Sequence, residues 1–428
     1  MTRATALMTA ELFLPCDKRA RMKSNWVVLE DPMWRRYASR LTLLLFVLVS
    51  LGANASQPSG KVVDLSATDG TKLKATFFAA PKAGPGVLLL HQCNGQRKQW
   101  DDLASQLAAA GINVLTLDLR GFGESGGTPV DKATPEEARA QGDKWPGDID
   151  VAFQYLQSQP GVKRDVIGLG GASCGVTNSV KTAVRHPKEV KSLVLLSGNA
   201  NLAERNFIRE STSLPLLCAA AEDDEFHPSV DAVEWIYDIS RNPGKKFIHY
   251  ATGGHGAEMF AAHPELRTAI VEWYVTTLIK TPGRAPAIVA KDAIQVPEPV
   301  KMLSLLDSPG GASQAAKKLS EARKRDPNAV LFSEDLVNII GYEYLQAGDP
   351  KRALEILKLN AEASPASANA QDSLGDAYLA NGNKEQARES AKRALELLAS
   401  DTKDPEARRN AIRDSAQQKL KQLGEGTP

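Results

Sequence analysis

The segment Gly171-Ala172-Ser173-Cys174-Gly175 directly follows an apolar run, Val166–Leu169, and precedes a stretch with helical periodicity. A serine with glycine two residues before it and two residues after it forms the G-x-S-x-G pattern, which places a nucleophilic serine on a sharp strand-to-helix turn. Glycine and serine cluster in many loops, so the G-x-S-x-G string alone is weak evidence for a nucleophilic serine. Its position after a predicted strand makes it specific, and we predict Ser173 as the nucleophile.

The surrounding chain alternates short apolar runs with longer amphipathic stretches, and Thr68-Asp69-Gly70 between the first two runs indicates a hairpin. The predicted strands are Lys61–Ser66, Leu73–Phe78, Gly86–Leu90, Asn113–Leu119, Val166–Leu169, Val190–Leu196, Pro215–Ala220 and Lys246–Tyr250. The predicted helices are Gln99–Ala110, Gly147–Gln157, Val176–Arg185, Ser229–Ile239 and Pro264–Ile279. Strands separated by helices favour an α/β fold, with a doubly wound and mainly parallel sheet covered on both faces.

The initial hairpin, the alternation and the serine turn together resemble the α/β-hydrolase fold over residues 60–281, in particular the serine esterases that are similar to dienelactone hydrolases. Only about eighteen residues separate the strand ending at Leu196 from the next one, so no large cap domain fits there. The related dienelactone hydrolases use a cysteine nucleophile. Here the glycines frame Ser173, whereas Ala172 and Val176 occupy the equivalent positions around Cys174.

The resemblance also implies an acid and a base for the serine, in the chain order nucleophile, acid, base. An acidic loop follows the seventh predicted strand, and Asp224 resembles the catalytic acid of the family, with Asp223 as the alternative and Glu222 a weaker one. His255 lies between glycines in Thr252-Gly253-Gly254-His255-Gly256, just after the last strand, and resembles the catalytic histidine. We therefore expect His255 to take the serine proton while Asp224 orients it.

A second loop, His91-Gln92-Cys93-Asn94-Gly95, follows the third predicted strand and resembles the His-Gly-x-x-Gly oxyanion loop of the family. The tetrahedral intermediate needs two N–H donors, one from the residue after the nucleophile and one from this loop. The resemblance implies Cys93 and Cys174 as these donors and His91 as a scaffold residue. A disulfide between the two cysteines and a pair of free thiols both remain open.

Further residues are candidates for supporting roles. The sequence Asp118-Leu119-Arg120-Gly121-Phe122-Gly123-Glu124-Ser125 resembles the D-x-R-G-x-G-x-S loop of α/β-hydrolases, which orders the chain near the site. The candidate substrate contacts are Gln92, Trp100 and His227. Additional candidate pocket walls are Trp145, Phe207 and Phe226. This chemistry requires no metal ion and no organic cofactor, and we predict neither.

The composition agrees with a soluble globular protein, since 43% of the 428 residues are hydrophobic and 24% are charged. The formal net charge of +1 argues against a nucleic-acid partner. The length suits two domains with extra segments. We predict an α/β-hydrolase domain over 56–282, a Pro-rich linker over 283–299 and a helical domain over 300–428.

The C-terminal part contains an internal repeat with an offset of 34 residues. The matching pairs are Gly341 and Gly375, Tyr344 and Tyr378, Leu345 and Leu379, Gly348 and Gly382, and Ala353 and Ala387. This spacing resembles the tetratricopeptide (TPR) repeat, in which two antiparallel helices pack closely. The stretches 312–326 and 404–423 are predicted as flanking helices. The resemblance implies a protein or peptide partner for this region.

The N-terminus resembles an export signal. Three arginines precede the apolar run Leu41–Leu51, and Ala53-Asn54-Ala55 follows it as a small-x-small cleavage site. The run is shorter than the ~20 residues that span a bilayer. We predict a signal peptide over 33–55, cleaved after Ala55, no stable membrane span after cleavage, and a periplasmic or secreted protein. An uncleaved anchor is the alternative. Residues 1–32 are predicted to be an extension or a mis-assigned start before Met33.

These features predict a hydrolase that cleaves an ester or related acyl bond of a small molecule through an acyl-enzyme on Ser173. Two alternatives stay open. One is a serine peptidase of the same fold, and the other is a TPR-based interaction module whose hydrolase domain is an inactive scaffold.

Overall fold

The computed structural model describes residues 59–226, 228–284, 295–402 and 404–424. The predicted signal peptide and His227 lie outside the described residues. The strands are β1 Lys61–Ser66, β2 Lys72–Phe78, β3 Gly84–Leu90, β4 Asn113–Leu117, β5 Val162–Ala172, β6 Val190–Leu196, β7 Leu216–Ala221 and β8 Lys246–Tyr250. Within these described segments, no helix combines the length and the apolar character needed to cross a membrane.

The helices of the first part of the chain are α1 Asp101–Ala109, α2 Pro135–Gly142, α3 Trp145–Ser158, α4 Cys174–Arg185, α5 Leu202–Glu210, α6 Pro228–Ile239, α7 Met259–Ala262 and α8 Glu265–Tyr274. The later helices are α9 Glu298–Leu306, α10 Gly311–Arg325, α11 Glu334–Gln346, α12 Pro350–Ala363, α13 Ala368–Ala380, α14 Lys384–Leu398 and α15 Glu406–Gln422. The chain thus divides into an α/β part and an all-helical part, as predicted.

The strands form one sheet in the order β1-β2-β4-β3-β5-β6-β7-β8. Strands β1, β2 and β4 pair antiparallel, whereas β4, β3 and β5 to β8 pair parallel. Strands β3, β4 and β7 are buried throughout, which explains their continuous apolar sequences. The predicted mainly parallel α/β sheet with a helical C-terminal region is therefore confirmed.

Helices α2, α5 and α7 were not predicted, and helix α9 starts two residues before the predicted helical domain. Helix α2 has a polar sequence, although Thr134 and Glu137 form a capping box that marks its start. Helix α5 is charged and short. Helix α9 begins at Glu298, inside the segment predicted as a linker, because proline is tolerated in the first turn of a helix.

The helical part is built from neighbouring helices that are joined by short turns and pack on each other, and these hairpins repeat along the chain. Helices α11 and α13 begin 34 residues apart, and so do α12 and α14. A Cβ atom on Gly341 would collide with the side chain of Leu357, so glycine permits close packing of α11 against α12. The helical character is confirmed, and the assignment to TPR repeats remains a prediction. The domain boundaries also remain predictions.

A buried ion-pair network joins the two parts. Arg205 on α5 is fully buried, and its guanidinium donates to Asp307 at 3.2 and 3.3 Å and to Glu343 at 2.7 Å. Asp307 also accepts from Arg209 at 2.6 Å and from the Tyr344 hydroxyl at 3.0 Å. Burial alone would raise the pKa of Asp307, but the two guanidinium groups lower it overall. The carboxylate is therefore held in its charged form between the two parts.

Apolar packing surrounds this network. The Arg205 guanidinium lies 4.1 Å from the centroid of the Trp235 ring on α6. One continuous cluster of buried side chains includes Ile208 and Trp235 of the α/β part together with Leu303 and Ile340 of the helical part. The two parts consequently share a hydrophobic core.

We predict that Arg205→Ala lowers the free energy of unfolding by about 3–5 kcal/mol, because removal of one partner leaves buried carboxylates without their counter-ion. The matched control is Arg393→Ala, which removes an exposed pair with Glu396 and is expected to cost at most about 1 kcal/mol. Urea unfolding followed by circular dichroism measures both variants. Equal midpoints for the two would contradict the structural importance of the network.

Candidate active site

Ser173 occupies a strained turn between β5 and α4. Its backbone has φ 53° and ψ −121°, and it is one of two non-glycine residues with positive φ in the described chain. A Cβ atom on Gly171 would collide with the Gly175 carbonyl, and one on Gly175 would collide with the Leu90 carbonyl. The two glycines are therefore required because strand, turn and helix meet backbone to backbone.

The turn is fixed by the neighbouring strand. The Ser173 N–H donates to the Leu196 carbonyl at 2.9 Å, and the Ser173 carbonyl accepts from the Val176 N–H at 2.8 Å. Ser173 is half-buried and stands at the N-terminal end of α4. Free N–H groups and the helix dipole at such an end stabilise negative charge that develops on a bound group.

His255 and Asp224 form a buried pair. The Nδ1 atom of His255 lies 2.9 and 2.8 Å from the two carboxylate oxygens of Asp224, and the residues are 2% and 4% exposed. Asp224 also accepts from the Phe226 N–H at 2.8 Å. A carboxylate only accepts hydrogen bonds, so Nδ1 carries the proton and Nε2 is left as the basic nitrogen.

The alternative acid, Asp223, has a different role. Its carboxylate is exposed to solvent and accepts from the Gly254 N–H at 2.9 Å. It therefore contacts the backbone of the histidine loop and leaves the imidazole to Asp224. Of the two neighbouring carboxylates, the structure brings only Asp224 into hydrogen-bond contact with His255.

The histidine loop packs on the serine turn. A Cβ atom built on Gly256, next to His255, would lie 3.2 Å from the Cβ of Ala172, next to Ser173. The amide oxygen of Gln92 accepts from the Ala257 N–H at 2.8 Å and ties the same loop to the segment after β3. The loops after β3, β5, β7 and β8 thus converge at the carboxyl edge of the parallel sheet, where ligands of such folds bind.

The segment after β3 is anchored by His91, which is completely buried. Its Nε2 accepts from the Leu119 N–H at 3.0 Å, so its Nδ1 carries the proton and donates to the Gln92 carbonyl at 2.7 Å. Burial lowers the pKa of His91, which keeps the imidazole neutral and able to accept. The structure thus places His91 as a scaffold residue, as predicted.

The two predicted oxyanion residues are joined by a disulfide. Cys93 and Cys174 are bonded through their sulfur atoms, with Cα atoms 5.8 Å apart. Cys174 opens α4, so its N–H has no carbonyl one turn earlier to pair with. The N–H of Cys93 donates to no backbone carbonyl among the described residues. The backbone hydrogen bonds of the described residues thus leave both N–H groups without a carbonyl partner.

Buried charges support the neighbouring loop. Asp118 is completely buried, accepts from the Arg97 N–H at 2.7 Å and also pairs with the Arg97 guanidinium. Arg120 donates to Asp148 at 2.8 and 2.9 Å and to Asp69. The predicted ordering role of Arg120 agrees with these contacts. The role of Arg97 was not predicted, because nothing in the sequence marks this arginine as buried.

Two predicted substrate contacts are corrected by the structure. Trp100 is 1% exposed and packs edge-on against Phe260 in the core, which leaves it no surface for a substrate. Gln92 is 4% exposed, and its amide oxygen is used to hold the histidine loop. The third predicted contact, His227, lies outside the described residues.

The other candidate pocket walls differ in their surroundings. The Phe226 ring is 45% exposed and meets the His255 ring edge-on, with centroids 4.8 Å apart. Trp145 is buried and donates to the Arg120 carbonyl, which is a structural role. Phe207 is partly buried against the core. Of these three aromatic residues, Phe226 is therefore the one that borders the site.

A cleft of about 340 Å³ opens beside the oxyanion loop. It is lined by Cys93, Asn94, Gly95, Gly121, Phe122, Gly123, Ser125, Gly127, Pro129, Val130 and Asp131. Its lining thus includes Cys93 of the disulfide, four glycines and one charged residue, Asp131. In the part of the chain that the structure describes, no group of three or more His, Cys, Asp or Glu side chains is placed to hold a metal ion.

Comparisons with known proteins agree with this chemistry at a coarse level. The family model described as serine aminopeptidase, S33, matches residues 81–230, a range that contains Ser173 and Asp224 and ends before His255. The match covers less than half of the chain. This match supports the assignment of the chain to the hydrolases as a class of enzyme.

Individual relatives match only in part. An uncharacterised protein of Mycobacterium tuberculosis is 31% identical over 154 residues, which are 36% of this chain and 50% of that protein. A thiohydrolase of Aspergillus aculeatus is 30% identical over 122 residues, which are 28% of this chain and 36% of that protein. The chain thus spans half or less of the length of these relatives.

Among solved structures, the dienelactone hydrolase of Anabaena variabilis superimposes with a TM-score of 0.42 at 20% identity. The superposition covers 52% of this chain and 99% of that one.

We predict that Asp224→Asn lowers kcat by about 10⁴-fold, the order expected when the carboxylate that orients a catalytic histidine becomes an amide. Asp223→Asn is the matched control. Its amide oxygen still accepts from the Gly254 N–H, so we expect a loss below about tenfold, the size of one ordinary hydrogen bond. Steady-state hydrolysis of 4-nitrophenyl acetate measures both. A larger loss of kcat at position 223 than at position 224 would assign Asp223 as the catalytic acid.

Glycine at position 175 is predicted to be indispensable for the serine turn. Gly175→Ala introduces a Cβ atom against the Leu90 carbonyl and should cost about 1–3 kcal/mol of stability together with most of the activity. The control is Gly147→Ala on α3, where a Cβ atom meets nothing within 4 Å and helix propensity favours alanine by up to about 1 kcal/mol. Urea midpoints and ester hydrolysis of the two variants are compared. An active, stable Gly175→Ala enzyme would refute the close-contact argument.

Proposed function

We propose that this protein is a serine hydrolase that cleaves an ester or related acyl bond of a small molecule. The observation that carries the proposal is the buried His255–Asp224 pair, with Nδ1 between the two carboxylate oxygens, packed on the turn that holds Ser173 at positive φ. A pair of this kind supplies the base that a serine hydroxyl needs to become a nucleophile.

The acylation step uses three groups. The Ser173 hydroxyl oxygen attacks the carbonyl carbon of the substrate, and its proton passes to Nε2 of His255. Asp224 stabilises the resulting imidazolium through the Nδ1 hydrogen bond. The negative charge on the carbonyl oxygen is bound by the N–H groups of Cys93 and Cys174. When the tetrahedral intermediate collapses, the leaving alcohol takes the proton from Nε2 and an acyl-serine remains.

Deacylation follows the same path with water in place of the serine. His255 accepts a proton from water as the water oxygen attacks the acyl carbon, and Ser173 recovers its proton when the acid leaves. Charge develops twice on the same oxygen, so the oxyanion donors act in both halves of the reaction. No other group is required to balance protons.

The cleft beside Cys93, which Ser173, Asp224 and His255 do not line, is our proposed place for one end of the substrate. Phe122, Pro129 and Val130 give it an apolar wall, and Asp131 is the only charged residue among those that line it. An anionic group would meet no cation there and would lose its hydration without compensation. We therefore propose that the cleft accepts a neutral acyl or alcohol group.

A peptide bond is the second candidate substrate, favoured by the description of the matching family as a serine aminopeptidase. Amide and ester cleavage share the acyl-enzyme route, and they differ in the leaving group that His255 must protonate. Paired ester and anilide substrates with the same acyl group separate the two candidates. Hydrolysis of the anilide at a comparable kcat/KM would favour the peptidase.

We further propose that the helical part recognises a peptide or protein partner and that the protein is exported. The hairpin repeat and the signal-like N-terminal sequence support these two proposals. N-terminal sequencing of the protein from the periplasm or the culture medium tests export. A chain beginning at Ser56 is the expected result.

The serine mechanism itself is tested with a fluorophosphonate probe, which reacts with activated serines. The full-length protein should be labelled at one site, and Ser173→Ala should abolish the labelling because no other serine is next to the His255–Asp224 pair in the proposed mechanism. Ser66→Ala, at an exposed position on β1, is the matched control and should be labelled as the wild type is. Absence of labelling in folded wild type would overturn the proposed function.

A further inference from the structure

We propose that the Cys93–Cys174 disulfide is a positioning element of the oxyanion hole. The two residues that it joins are the two whose N–H groups bind the oxyanion in the proposed reaction. The proposal rests on the proposed serine hydrolase function and goes beyond it, because it makes catalysis depend on the oxidation state of this pair.

An oxyanion donor presents a physical problem. Its N–H must be held at a fixed place, yet it must not be used in any hydrogen bond of the resting protein. A loop residue is ordinarily fixed by hydrogen bonds of its own backbone, but the N–H of Cys93 makes none to a backbone carbonyl among the described residues. A covalent bond through the side chain fixes the residue and leaves the N–H free.

The contacts around Cys93 show which part of the loop the bridge holds. His91 is fixed by two hydrogen bonds, and Gln92 is fixed by the Ala257 N–H. Beyond Cys93, the Gly95 N–H returns to the Gln92 carbonyl at 2.9 Å. Cys93 therefore sits at the outer turn of the loop, half-buried, and the disulfide supplies its link to the rest of the site.

The bridge does not serve to bring β3 and β5 together. These strands already pair in parallel up to their ends, where Leu89 faces Gly170 and Leu90 faces Gly171. Cys174 is fixed independently as the first residue of α4. The constraint that the disulfide adds therefore falls on the loop that carries Cys93, and so on the distance between the two donors.

Reduction of the bridge is expected to lower kcat by at least about tenfold and by no more than the 10²–10³-fold loss that removal of a whole oxyanion donor causes. KM should change little, because the donors act mainly on the transition state. The affinity for a trifluoromethyl ketone, which forms a tetrahedral adduct with the serine, should fall by a similar factor as kcat. The affinity for the unreacted ester should not fall.

The experiment uses full-length protein before and after treatment with dithiothreitol at 25 °C. Each dithiothreitol loses two electrons and two protons to become a cyclic disulfide, while the sulfur atoms of Cys93 and Cys174 become thiols. The double variant Cys93→Ser/Cys174→Ser should match the reduced enzyme in kcat and be indifferent to dithiothreitol. The control Cys218→Ala removes the buried free cysteine of β7 and should respond to dithiothreitol as the wild type does.

The outcomes are separable. An oxidised protein that is not labelled by fluorophosphonate would refute the serine hydrolase itself. An oxidised protein that is labelled, and whose kcat and inhibitor affinity survive reduction, would overturn only the positioning role. A rise in KM at constant kcat would also overturn it, since the bridge would then act on substrate binding. Loss of the native near-ultraviolet circular dichroism on reduction would assign the bridge to general stability and overturn it as well.

Discussion

The site depends on a single steric constraint, the backbone contact between the end of β3, the turn at Ser173 and the start of α4. The carbonyl of Leu90 comes so close to Gly175 that no side chain fits, and the carbonyl of Gly175 comes equally close to Gly171. This contact holds Ser173 at positive φ. It also brings the loop after β3 beside the first N–H of the helix. Ser173, Cys93 and Cys174, the residues of the proposed nucleophile and oxyanion donors, are thus placed by one packing contact.

The hydrogen bonds of the histidine loop build on the same contact. Gln92 belongs to the loop after β3, yet its amide oxygen binds the residue two positions after His255. A displacement of that loop would therefore move His255 as well as Cys93. Glycine, which commonly stands at this position in the family that the loop resembles, has no side chain and could not make this connection. The departure from the family sequence is compensated by a specific interaction.

Much of this arrangement could be predicted from sequence because its signals are local. The strands are apolar runs of the right length, and the serine and histidine are flanked by glycines whose backbone conformation or close packing requires them. The predicted disulfide alternative followed from the nearness of two loops. Asp223 and Asp224 could not be separated with the same certainty, because they differ by one residue and only the three-dimensional path of the loop decides which one turns inward.

The errors arose where burial depends on distant parts of the chain. Trp100 follows a loop that lies near the site, and only the packing of Phe260 against it shows that the ring points into the core. Arg97 and Arg205 look like ordinary surface arginines in the sequence, although both are buried with carboxylates that are 21 and 102 residues away. The start of helix α9, two residues before the predicted helical domain, was hidden by the prolines around it. Such pairings have no periodicity that a sequence could display.

The buried guanidinium of Arg205 has a consequence for how such a two-part protein arises. An ancestor without the helical part would have had this side chain either apolar or open to water, because a buried cation without a carboxylate is very unfavourable. Arg205 and the helical part therefore depend on each other, because Asp307 and Glu343 supply the charge that the buried guanidinium needs. Among relatives of this chain, the residue aligned with Arg205 should report whether the helical part is present.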